Sequence, residues 1–285
     1  MHSARYASFE TSARSQPGGQ SKALWLVDKQ WPPASECIFM DSNARSQNGF
    51  LKSLSTDDFE VLRPDLQTAM LSQGQVLQNL GDPIDQVYFP HDCVLSRILE
   101  LDAGHSVEIA MIGRDSLLGA LAAAGIPAAK SGAVVVLPGV ASVIDMGRLR
   151  AAAERSTGLN KILVRHGQAV LVRAQQAVGC KSLHPVEARL ARWLLEARDL
   201  CGKNRLMLTQ EMMGQIIGAR HNSVAIVAHT FEQQGCITFG RGYVEIIDPG
   251  GLAEAACTCY ATIKAQHESL HRDVEHSFGC RETAH

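Results

Sequence analysis

The sequence predicts an α+β protein on three observations. Short apolar runs separated by Gly, Pro and Asp turns fill residues 74–145. A helical stripe follows from about Met146. Residues 209–247 read as a capped helix, a glycine turn, a second helix and two short β runs. The expected order is a β-sandwich or barrel, a long helix and a winged helix-turn-helix. At about 100–200 residues per domain, the 285 residues hold one large domain or two ordinary ones.

Composition narrows the class. A hydrophobic content of 46% excludes a wholly disordered chain. No apolar run approaches the roughly 20 residues of a membrane-spanning helix. Lys and Arg number 27 against 29 Asp and Glu, which argues against coating nucleic acid by bulk charge but not against a dimer with a small reading head. The eight cysteines (37, 93, 180, 201, 236, 257, 259 and 280) are scattered, with no Cys-x-x-Cys. They fit reduced, buried thiols in a cytosolic protein. The stretch Ala23–Val27 is too short for a signal-peptide core, so a cytoplasmic location and no membrane partner are expected.

Residues 1–48 are rich in Ser, Gln and Gly with Pro17-Gly18-Gly19 and Pro32-Pro33 breakers, and read as a flexible extension. Met40 is a candidate translation start within it. A first helix begins at Ser55-Thr56-Asp57-Asp58, a hydroxyl cap with carboxylates in the first turn, and Pro64 interrupts it. Strands follow at Val87–Phe89, Val94–Leu101, Val107–Ile112, Ala133–Leu137 and Val140–Ile144, giving a β domain over 49–154.

In the long helix, assigned to 155–181, Val164, Gly167, Leu171, Ala174 and Val178 step by 3 and 4. This pattern fits either a core helix or a dimer seam. The narrow stripe and the polar opposite face (Lys161, Arg165, Gln168, Gln175, Gln176) favour the seam and a homodimer. Pro185 then opens a helix Val186–Leu200.

Residues 182–250 form the candidate reading head, and 251–285 a helical or disordered tail. Thr209 can cap a helix Gln210–Ile217, Gly218 suits a left-handed turn, and a second helix runs from about Arg220 to Gln234. Cys236–Phe239 and Tyr243–Ile247 flank Gly240-Arg241-Gly242 as a hairpin wing. The second helix would enter the major groove of double-stranded DNA. There Arg220 would grip phosphate or guanine, His221 would donate or accept according to its charge, Asn222 would pair with adenine, and Ser223 would reach a phosphate. Ile226 would touch a thymine methyl. Arg241 and Tyr243 on the wing, with Thr209 and Gln210 at the first helix start, would meet backbone or minor groove.

These separated motifs resemble the Crp/Fnr family of bacterial transcription regulators. The resemblance rests on Leu80–Pro90 (LGDPIDQVYFP), Ile112-Gly113-Arg114-Asp115, His184–Leu194 (HPVEARLARWL) and the stretch from Leu208-Thr209-Gln210-Glu211 to Asp248, covering about residues 49–260. It implies a double-stranded β-helix (jelly-roll) sensor domain, dimerisation through the long helix, a palindromic operator and contact with RNA polymerase. The sequence also departs from the family. Cyclic-nucleotide binders carry Gly-Glu and a later Arg-Ser, whereas this chain has Gly119-Ala120 and Ala128-Ala129-Lys130-Ser131. Ala120 cannot accept a ribose hydroxyl, and Lys130 offers a point charge rather than a planar fork, so tight cyclic AMP binding is not expected. Cys37 and Cys93 are too few for a four-cysteine cluster within one protomer, so no iron–sulfur cofactor is expected. The family's Arg-Glu on the recognition helix reads here as His221-Asn222, with Ile226 where a further Arg is common. The effector is not legible.

Other constellations carry less. His91 and His105 are the haem-ligand candidates, both beside turn residues. His105 with Glu108 is an incomplete version of a cupin-type metal set, which leaves a jelly-roll enzyme as an alternative. A protein-binding winged helix is another. Cys257, Cys259, His267, His271, His276 and Cys280 crowd the tail, but the Cys-x-Cys spacing is not that of a common structural zinc site, so no metal is expected there.

Overall fold

A computed structural model describes residues 47–101, 106–123, 125 and 127–266. The extension with Met40 and Cys37, the turn residue His105, and the tail residues His267, His271, His276 and Cys280 lie outside the described residues.

The Asn48 side chain is fully buried; it accepts from the Leu51 N–H (3.2 Å) and donates to the carbonyls of Pro90 (2.8 Å) and Ser116 (2.9 Å). It caps α1 (Gly49–Ser53) and pins it to the β domain. The Ser55 hydroxyl accepts from the Asp58 N–H (3.1 Å) to cap α2 (Thr56–Leu62), and a 3₁₀ turn through Pro64 ends it.

Seven strands follow: β1 (Gln67–Leu71), β2 (Val76–Gln78), β3 (Gln86–Pro90), β4 (Val94–Glu100), β5 (Ser106–Ile112), β6 (Gly132–Leu137) and β7 (Gly139–Asp145), with a short α3 (Ala120–Ala123) between β5 and β6. They pair antiparallel in two sheets ordered β1-β7-β3 and β2-β6-β4-β5. The chain crosses between the two sheets four times, at β1–β2, β2–β3, β3–β4 and β6–β7, the arrangement of a jelly-roll sandwich. All six residues of β6 are buried, as expected of an inner strand rich in Val. Leu71, Cys93, Leu95, Ile112, Leu118, Val135 and Ala141 fill the space between sheets. The sequence reading missed β1 and β2. In β1 the residues Gln67, Thr68 and the exposed Met70 break apolar alternation, because this is a sheet-edge strand.

The helical stretch from about Met146 is two helices, the second close to the long helix assigned to 155–181. Asp145 caps α4 (Met146–Arg155), and the Ser156 hydroxyl, accepting from the Leu159 N–H (3.0 Å), caps α5 (Thr157–Leu183). Phe50, Phe59, Phe89, Leu149, Leu159 and Ile162 bind these helices and α1–α2 to the β domain.

The C-terminal part holds α6 (Val186–Cys201), β8 (Arg205–Leu206), α7 (Gln210–Ile217), α8 (His221–Gln233), β9 (Ile237–Gly240), β10 (Tyr243–Ile246) and α9 (Pro249–Ala255), in a small sheet ordered β8-β10-β9. Residues 259–266 are helical. The core of this part is continuous with the β domain: Val94, Met111, Val136 and Leu137 pack with Trp193, Leu194, Ile216, Phe231 and Val244. The molecule is thus α+β, a β-rich jelly-roll domain followed by a long helix and a C-terminal winged helix-turn-helix. Among the described residues no helix is long and apolar enough to cross a membrane.

Candidate nucleic-acid interface

Local chemistry builds the head. Thr209 Oγ1 accepts from the Met212 N–H (3.2 Å), capping α7, with Glu211 in the first turn. Gly218 ends the helix at φ 67°, a left-handed conformation that a Cβ would strain, and the Ala219 N–H returns to the Gly214 carbonyl (3.1 Å). Arg220 then stands at the N-cap of α8, and the Ser223 and Val224 N–H groups donate to its carbonyl.

The faces of α8 separate cleanly. Val224, Ala228 and Phe231 are fully buried, while Asn222, Ser223 and Ile226 are exposed, Ile226 at 69%. An isoleucine so exposed at the centre of an outward helix face is what apolar contact to a base would use. Arg220 is exposed beside them, His221 begins the helix, and Gln210 is half-buried at the start of α7.

On the wing, Arg241 is exposed in the β9–β10 turn, where Gly242 adopts φ 83°. Tyr243 is half-buried and already engaged: its ring lies under the Arg205 guanidinium (4.5 Å), which also pairs with Glu245 (2.9 Å). Arg205 was not singled out from sequence, because two residues of strand give no periodic signal.

On α5, Val164, Leu171 and Val178 are 51%, 57% and 64% exposed, seven residues apart on one face. Gly167 and Ala174 are half-buried and line a cavity of about 330 Å³ between α5 and the β domain. Its wall also holds Ala120 and Lys130, the positions that depart from the cyclic-nucleotide pattern, together with Arg97 and His166. Arg97 donates to Ser131 Oγ from Nε (3.1 Å) and Nη2 (2.9 Å), and burial pushes its pKa down. The His166 Nε2 accepts from the Leu117 N–H (3.1 Å) and contacts the Ser116 hydroxyl.

A buried polar network joins the β domain, the long helix and the head. Arg173 of α5 donates to the Met111 carbonyl (3.1 Å) and Asp115 (2.7 Å) and faces Glu196 of α6 (3.5 Å), which also holds Arg192. Burial works against the Arg173 charge, and Asp115 and Glu196 more than offset it. Glu108 accepts from the Ser96 hydroxyl (2.6 Å) and from Trp193 Nε1 (2.7 Å). Burial raises its pKa against these bonds. Both Glu108 oxygens are therefore committed to holding strands and α6 together. His91, the described haem-ligand candidate, is buried with Nε2 on Ser142 Oγ (2.9 Å).

Residues 188–255 match the Crp-like helix-turn-helix domain. Comparison with curated proteins found no match. Among solved structures, the chain is similar to a transcriptional regulator of the Crp/Fnr family from Eubacterium rectale, with TM-score 0.54 and 16% identity, covering 80% of this chain and 99% of that one. It is also similar to FixK2 from Bradyrhizobium japonicum, with TM-score 0.57 and 16% identity over 67% and 98% of the two chains. A third is the c-di-GMP responsive global regulator CLP from Xanthomonas campestris, at TM-score 0.52 and 13% identity over 67% and 99%. The chain thus carries a Crp-like helix-turn-helix domain on the fold of the Crp/Fnr family of transcriptional regulators.

Proposed function

We propose that the protein is a sequence-specific DNA-binding transcription regulator that acts as a homodimer on a palindromic operator. The carrying observation is the outward face of α8, where Arg220, Asn222, Ser223 and Ile226 are exposed above a capped, glycine-turned α7 within a Crp-like helix-turn-helix match. Arg220 and Asn222 read bases, Ser223 reaches phosphate, and Ile226 meets a thymine methyl. Arg241 approaches the backbone from the wing. Gln210 and Thr209 approach it from the start of α7. The seam Val164–Leu171–Val178 supplies the two-fold partner, so half-sites lie about one helical turn apart. RNA polymerase is the protein partner of such a regulator.

The head carries no strong basic field. Residues 182–250 hold seven Lys and Arg against seven Asp and Glu. Of these bases Arg192 is buried on Glu196, Arg205 pairs with Glu245, and Lys203 pairs with Asp92 (2.6 Å). Affinity therefore rests on dimer geometry and local contacts, with a shallow salt dependence. The signal enters at the cavity on α5, whose mostly apolar wall with Arg97 and Lys130 suits a ligand with an apolar body and one anionic group.

Gel shift and footprinting against genomic fragments test the reading. Wild type retains a palindromic fragment selectively. Arg220→Ala and Asn222→Ala each weaken it by about 1–3 kcal/mol with unchanged thermal midpoint. Unchanged operator affinity in both variants refutes the assignment of α8.

A further inference from the structure

The structure brings together four soft donors that no sequence window contains. Cys180 lies near the end of α5, and His184 caps that helix one turn later. Cys257 and Cys259 arrive after α9, and the ligand atoms of all four residues lie within 4.8 Å of one another. We propose that Cys180, His184, Cys257 and Cys259 form a zinc site that fastens the end of the long helix to the segment following the winged helix.

The dimensions fit one tetrahedral ion. Zinc–sulfur bonds of about 2.3 Å and zinc–nitrogen bonds of about 2.0–2.1 Å give donor–donor edges of roughly 3.5–3.8 Å. Cys180 Sγ and Cys257 Sγ are 3.5 Å apart, and Cys259 Sγ and His184 Nδ1 are also 3.5 Å apart. A cluster of several irons needs its ligands more widely spaced than this group allows. The three thiols are buried as a small cluster with Ala188 packed against it, so the group is secluded from bulk water.

Burial pushes the Cys257 thiol up to about 12, so it is the ion that draws off its proton. Gln176 Nε2 donates to Cys259 Sγ (3.0 Å), the kind of outer bond that orients a ligand. The buried Arg192 guanidinium is held by Glu196, and its Nε has no hydrogen-bond partner among the described residues. Three thiolates and a divalent ion leave one net negative charge. On binding, each thiol gives its proton to solvent and His184 coordinates as the neutral ring. The Cys257 N–H also donates to the Ala188 carbonyl (3.4 Å), so the fastened segment lies against the first turns of α6, just beyond the His184-Pro185 joint.

The test uses the full chain purified under reducing conditions without chelator. Elemental analysis is expected to find about one zinc per chain. After chelation, cobalt(II) is expected to give the intense visible bands of tetrahedral sulfur-rich coordination. Cys180→Ser and Cys259→Ser are expected to lose the zinc and the cobalt spectrum, and circular dichroism shows whether each variant remains folded. Zinc returned to the stripped wild type raises its thermal midpoint. Purified wild type without zinc and without that cobalt spectrum overturns the proposal, as does a Cys180–Cys257 disulfide in freshly isolated protein. None of these measurements involves DNA, so the outcome is independent of the regulator reading.

Discussion

At the residue scale, His91 links pH to stability. Burial lowers its pKa and outweighs the opposing charge of Asp92, so the folded protein keeps the ring neutral on Ser142. The unfolded chain takes up a proton once pH falls below the ordinary histidine value of 6.5. The contribution is therefore fully present above that value and is lost as pH falls from it toward the depressed folded value. Denaturant midpoints at about pH 7.5 and about pH 5.5 should show this decline, and His91→Gln should flatten it. Ala120 makes a second point prediction. With a methyl where a carboxylate would hold ribose, calorimetry should find no micromolar affinity for cyclic AMP. Tight binding would show that Arg97 or Lys130 supplies the missing recognition.

At the element scale, α5 has two faces with different fates. His166, Arg173 and Ala177 turn inward, and Val164, Leu171 and Val178 turn outward. If the outward stripe is the proposed dimer seam, Leu171→Asp sets a carboxylate into it in each copy. Sedimentation should then show a monomer, with dimer affinity reduced by roughly 100-fold or more, about 3 kcal/mol, and operator retention lost with it. The helix-turn-helix was legible because its signals are local: the Thr209 cap, the Gly218 turn and the Gly240-Arg241-Gly242 hairpin fall within a few dozen residues. The edge strand β1 was not, because Gln67, Thr68 and Met70 carry no alternation. Neither was β2, since three residues of strand are too few to show a period. The cysteine cluster was illegible for a third reason: Cys180 and Cys257 are 77 residues apart, and only the packing of α9 and the following segment against α6 brings them together.

At the scale of the whole molecule, β domain and head share one core. Gly113 abuts α6 so closely that a Cβ there would stand 2.5 Å from the Leu200 Cβ, and the Arg114 N–H donates to the Leu200 carbonyl (3.0 Å). Trp193 reaches across to Glu108 from within this contact. Trp193→Phe keeps most of the volume but leaves a buried carboxylate oxygen without its donor, at a cost of about 1–3 kcal/mol. Calorimetry should record the lower midpoint. The cavity on α5 shares Leu171 with the outward stripe and lies one turn from Arg173, which holds Asp115 and Glu196. Where ligand and operator both act through that helix, thermodynamic linkage makes their effects reciprocal: the factor by which the ligand tightens DNA is the factor by which DNA tightens the ligand. The protein loaded on its operator is then the better bait for an unknown metabolite, retaining from a cell extract a compound that the free protein lets go.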